Sequence, residues 1–163
     1  MFADAETLQL FVFVVPLGIF CGVLALVDIR RGIIPNRLNL AIAGLGLVRA
    51  VAIGGATAAV AATSEGIAIG AVFWALQWLY FRLRKIPGLG LGDVKFLAAA
   101  GLWVGISGLP SLLLVATLTA LAAAGILKLS GRSMTRETSL PFGPFLAAGL
   151  LATIILQGLV GVD

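Results

Sequence analysis

Apolar runs long enough to cross a bilayer occupy most of this chain and decide what it can fold into. Six of them fall at residues 8–27, 38–58, 66–81, 94–106, 110–129 and 140–160, separated by short polar segments. A helix needs about 20 apolar residues to traverse roughly 30 Å of hydrocarbon, so six crossings consume about 120 residues. With 163 residues in all, the chain has room for loops and no second domain. Charged residues make up 11% of the sequence and mean hydropathy is +1.15, against about 25% charged residues in an ordinary soluble domain. A water-soluble globule is excluded. The expectation is an all-α, polytopic membrane bundle of six transmembrane helices, a single integral-membrane domain over residues 1–163. The third and fourth runs are short and draw on neighbouring residues at their ends. The first run has Asp4 and Glu6 where a signal peptide carries basic residues, and no small-residue cleavage pattern follows it, so it reads as a retained helix.

The cationic residues orient the bundle. Arg30, Arg31 and Arg37 follow the first run; Arg82, Arg84, Lys85 and Lys95 surround the loop after the third; Lys128, Arg132 and Arg136 follow the fifth. The alternate loops, expected at 59–65 and 107–110, hold no Lys or Arg. Basic loops are retained on the cytoplasmic side, which predicts that both termini are extracytoplasmic. The net charge of +4 follows from this asymmetry and implies contact with membrane lipids, with no need to invoke nucleic acid.

Arg49 departs from the pattern, because the second run carries it past the bilayer centre. Two readings stand: it snorkels outward along an Ala-rich helix end, or it forms a buried pair with an acid such as Glu65. Small residues four apart, at Gly18 and Gly22, Gly66 and Gly70, and Gly101 and Gly105, suit close helix packing. Cys21, inside the first of these, reads as a small packing residue.

There is no histidine and only one cysteine, so metal ligation and Ser-His chemistry are not expected, and hydrolysis would fall to carboxylates. The chain offers seven. Asp4, Glu6, Glu65 and Asp163 belong to the predicted outside, and Glu137 to the polar stretch 130–139. Asp28 closes one apolar run and Asp93 opens another, both at cytoplasmic helix ends and hence at matched depth. Each has a plain structural reading: Asp28 pairing with Arg30 or Arg31, Asp93 capping its helix. Paired at one depth, they point to function. Around them lie three turn-prone elements: Arg30-Arg31-Gly32-Ile33-Ile34-Pro35-Asn36-Arg37, Pro87-Gly88-Leu89-Gly90-Leu91-Gly92 and Pro141-Phe142-Gly143-Pro144.

Gly90-Leu91-Gly92-Asp93-Val94-Lys95 resembles the G-x-G-D signature of intramembrane aspartyl proteases, in the form used by type IV prepilin peptidases. Asp28 with Ile34-Pro35-Asn36 downstream resembles that family's first catalytic aspartate, and Leu140-Pro141-Phe142-Gly143-Pro144-Phe145-Leu146 its final-helix segment. The resemblance spans nearly the whole chain. It implies an aspartic endopeptidase of the cell inner (cytoplasmic) membrane that removes the basic leader from type IV, Flp-like, prepilins or pseudopilins at the cytoplasmic face. It implies Asp28 and Asp93 as the catalytic pair, without metal or cofactor. Gly90, Gly92, Lys95, Pro35, Asn36, Pro141, Gly143 and Pro144 would bind substrate or shape the site. Larger bifunctional relatives add a cytoplasmic insertion with paired cysteines and a methyltransferase activity. The short first loop and single cysteine here resemble the compact, peptidase-only form of tight-adherence pili, so N-methyl transfer is not expected. The competing reading is a small carrier in which the paired acids bind a cation or relay protons. No clear pseudo-repeat supports it, and the acids lie toward one face where a carrier would hold them at the midplane.

Overall fold

The structure is a computed structural model that describes residues 2–85, 88–130 and 141–160, with side chains described for those between 11 and 158. Among the described residues the elements are α1 (Phe2–Arg31), α2 (Asn36–Arg84), α3 (Leu91–Leu129) and α4 (Gly143–Val160). α1, α2 and α3 are each long and apolar enough to cross a membrane, and α4 is a shorter apolar helix. Their outward faces carry large apolar side chains, among them Phe11, Ile19, Leu40, Val60, Leu83 and Leu121. Such a surface belongs in lipid.

Neither long helix is continuous. Inside α2, Gly55 has φ 68° and ψ −159°; inside α3, Gly105 has φ 66° and ψ −175°. A positive φ interrupts a right-handed helix and is open to glycine without steric penalty. Each helix is thereby divided into two arms, 36–54 and 56–84 in α2, 91–104 and 106–129 in α3. The arms of α2 double back: Leu102 of α3 lies against Gly46 on the first and against Gly66 on the second.

The interruptions correct the expected loops. Residues 59–65 and 107–110 are helical, and the breaks lie at Gly55 and Gly105. The polar residues that suggested a loop are absorbed by helix: the hydroxyls of Thr57, Thr63 and Ser64 donate to the carbonyls of Gly54, Ala59 and Ala61. Pro110 lies one turn into the second arm of α3. The polar stretch expected at 130–139 falls almost wholly outside the described residues, and with it Arg132, Arg136 and Glu137; Leu140, Pro87 and Asp163 lie outside them too.

Among the described residues, packing runs from α2 to α3, α3 to α4, and α1 to α4 and α2, while the backbones of α1 and α3 nowhere approach within 8 Å. The core gathers Leu17, Leu24, Ile42, Phe96, Leu112 and Leu146 from all four helices. Gly66 and Gly101 meet backbone to backbone, as small residues permit, whereas Gly18 and Gly22 face open space. Cys21 is buried. Arg49 is half-buried, with its guanidinium 5.8 Å from the centroid of the Trp103 ring. It thus lies against a core residue, six positions before the break at Gly55.

Candidate active site

Asp28 lies in the last turn of α1, which ends where the Gly32 N–H donates to the Asp28 carbonyl at 2.7 Å. Its side chain is 4% exposed, while Arg30 and Arg31 are exposed. Its Oδ2 accepts the backbone N–H of Gly143 at 2.8 Å. Gly143 is the first residue of α4, so Asp28 supplies the acceptor that the helix start lacks internally. Only a residue without a side chain fits there, since a Cβ on Gly143 would stand 2.7 Å from Asp28 Oδ2. Pro141 and Pro144 flank this contact, half-buried; Pro144 occupies the first turn of α4, where its fixed φ suits the helix.

Asp93 lies in the first turn of α3, whose N-cap is Gly90. Its carboxyl turns back toward the start of the helix, where Oδ2 would stand 3.0 Å from a Cβ on Gly90, and Asp28 is near enough to act on it electrostatically. Asp93 is not the N-cap its sequence position suggested, since Gly90 holds that place three residues earlier. For Asp28 the contact with Gly143 aims the carboxyl. Asp28 meets the Gly143 N–H at the start of α4, and Asp93 lies in the first turn of α3, positions where the local dipole favours negative charge.

The start of α2 completes the group. Pro35 is its N-cap and accepts the N–H groups of Leu38 and Asn39. Asn36 Oδ1 accepts a hydrogen bond from Lys95 Nζ at 2.9 Å, and Asn39 Nδ2 donates to the Gly92 carbonyl at 3.3 Å. Ile34 packs against Gly92, and Tyr80, near the end of α2, against Gly88. The residues singled out in the sequence thus meet in small sets: Asp28 with Gly143, Asp93 with Gly90, and Asn36 with Lys95. A cleft of about 440 Å³ has Asn36, Asn39 and Lys95 at its polar end and Ala43, Gly66 and Leu102 along its wall, and neither Asp28 nor Asp93 lines it. Asn39 was not among the sequence candidates. Its signal was a polar amide within an apolar run, one turn after Asn36. Among the described residues no group of three His, Cys, Asp or Glu side chains is placed to hold a metal ion.

Residues 15–125 match the type IV leader peptidase family. A prepilin leader peptidase/N-methyltransferase of Burkholderia pseudomallei (strain 1026b) is 39% identical over 140 residues, covering 84% of this chain and 44% of that protein. The protein of the same name from Escherichia coli (strain K12) is 36% identical over 137 residues, covering 83% and 60%. One from Xanthomonas campestris pv. campestris is 34% identical over 132 residues, covering 80% and 45%. The chain spans about half the length of these curated relatives. No solved structure matches it.

Proposed function

Because the chain belongs to the type IV leader peptidase family, we propose that it is an aspartic endopeptidase that removes the basic leader from type IV prepilins or pseudopilins at the cytoplasmic face of the inner membrane, with Asp28 and Asp93 as its catalytic pair. The observation that supports this reading is that two carboxyls from separate helices lie at neighbouring helix ends and act on one another electrostatically, with Asp28 held by the Gly143 N–H. Two neighbouring carboxyls do not both ionise readily, so the pair holds one proton and one charge. The ionised member takes a proton from a water. The protonated member donates to the scissile carbonyl oxygen as the water oxygen attacks its carbon, and a tetrahedral intermediate forms without a covalent enzyme adduct. The substrate's apolar helix lies in the membrane beside the bundle, with its leader junction at the glycine-rich turn.

Six crossings with both termini extracytoplasmic fit this reading. A straight α2 of 49 residues would be about 74 Å long, more than twice the hydrocarbon thickness. The two arms of α2 are about 28 Å and 44 Å long and of crossing length or near it, while the first arm of α3, residues 91–104, is about 21 Å and shorter than the hydrocarbon thickness. Methyl transfer is left out of the proposal, because α1 and α2 are joined only by residues 32–35 and leave no internal insertion for a methyl-donor domain.

The test is cleavage of a prepilin by the purified chain in liposomes, with S-adenosylmethionine present and the product weighed by mass spectrometry. Expected is a shortened pilin with an unmodified amino terminus, and loss of cleavage in Asp28→Asn and Asp93→Asn with normal accumulation of both proteins. Asn can still accept the backbone N–H but cannot take up or share the proton. Near-normal turnover in either variant would return that acid to a capping role, and a gain of one methyl group would restore the second activity.

A further inference from the structure

Asn39 is 5% exposed, one turn into α2, and its two polar atoms have different fates. Nδ2 donates to the Gly92 carbonyl at 3.3 Å, while Oδ1 is buried without a partner. A buried acceptor left unpaired is destabilising. A helix start that needed packing alone would be served better by an apolar residue, such as those on either side at Leu38 and Leu40. What the amide supplies is the donor. The Gly92 carbonyl belongs to the peptide unit that carries the Asp93 nitrogen, so fixing that carbonyl orients the residue whose carboxyl must meet Asp28. The same two helix starts are joined a second time, in the opposite sense, by Lys95 Nζ donating to Asn36 Oδ1 at 2.9 Å. Ile34 closes against Gly92 from the same side.

We propose that Asn39 is a positioning residue that sets the orientation of Asp93 through the Gly92 carbonyl, and that the unpaired Oδ1 accompanies the donor kept there. The proposal rests on the peptidase reading above. Small misplacements of a reacting group cost up to about 100-fold in rate, so Asn39→Leu in liposomes should lower kcat about 10- to 100-fold with KM within about twofold. Thermal stability should be equal to or above that of the parent, because the unpaired acceptor is gone. The coupled pair should also respond: as Asp93 moves off Asp28, the two limbs of the pH–rate bell draw together. A role in folding alone moves neither the bell nor kcat per folded molecule. Asn39→Asp, of the same shape, carries the test if the leucine variant fails to accumulate. Its carboxyl donates to Gly92 only when protonated, so its activity relative to the parent should fall as pH rises. Parent-like turnover by folded Asn39→Leu, or a pH-independent ratio for Asn39→Asp, overturns the proposal while leaving the peptidase reading intact. Failure of the parent to cleave any prepilin overturns both.

Discussion

A methyl group on residue 143 would stand 2.7 Å from Asp28 Oδ2 and 3.0 Å from its Cγ, closer than real side chains approach. Gly143 therefore does two things for one carboxylate: it donates an N–H, and it leaves space for the oxygen that accepts it. In Gly143→Ala either α4 or Asp28 must shift. Overpacking of this kind costs about 1–3 kcal/mol, and each 1.36 kcal/mol in a barrier is tenfold in rate, so prepilin processing should fall about 10- to 100-fold. Side-by-side immunoblots of the processed pilin and of the enzyme itself separate this loss from poor insertion. Parent-like processing would mean that Asp28 works without the Gly143 contact.

The break in α3 illustrates how an element with exposed backbone groups survives in an apolar bundle. Interrupting the helix at Gly105 releases a donor and an acceptor, and neighbouring helices take up both. Glu65 Oε2 accepts the Ile106 N–H at 2.8 Å, and Gln157 Nε2 donates to the Val104 carbonyl at 3.1 Å. Trp103, just before the break, anchors the first arm by donating from Nε1 to the Ile42 carbonyl at 2.9 Å. Glu65, expected in an outer loop, is instead the cap of the second arm. Losing such a cap costs roughly 0.5–2 kcal/mol, and a chain of this size loses about 2–4 °C in melting temperature per kcal/mol. Glu65→Ala should accordingly melt several degrees below the parent, and Glu65→Gln, which keeps an acceptor, should recover most of the difference. Equal melting temperatures for the parent and Glu65→Ala in a dye-based thermal scan would show that the cap contributes nothing.

At the scale of the whole molecule the question is which helix ends share a side. The end of α1, both ends of α2, and the starts of α3 and α4 are tied together through Asp28 and Gly143, Asn36 and Lys95, and Tyr80 and Gly88. These ends carry Arg30, Arg31, Arg37, Arg82, Arg84, Lys85 and Lys95, and this is the side that the proposed topology makes cytoplasmic. Thr57, just past the α2 break, belongs to the far side, and Ser130, at the end of α3, to the basic side. In a Cys21→Ala background, single cysteines at Thr57 and Ser130 should react with a membrane-impermeant reagent from opposite faces of the membrane. Labelling from one face would remove the proposed topology.

The sequence by itself determined the apolar helical segments and the short inventory of seven acids from which the proposed pair is drawn. Hydropathy, charge and residue type are properties of consecutive residues and need no partner. Only the tertiary structure decided where the long helices break. Of 21 glycines in the chain, the two that take a positive φ inside helices among the described residues are Gly55 and Gly105, and at Gly105 the released groups are met by Glu65 and Gln157 from other helices. It also decided that Asn39 reaches Gly92 across 53 positions and Asp28 reaches Gly143 across 115. A buried hydrogen bond depends on two groups that are distant in the chain and adjacent in space, and that adjacency exists only once the helices have packed.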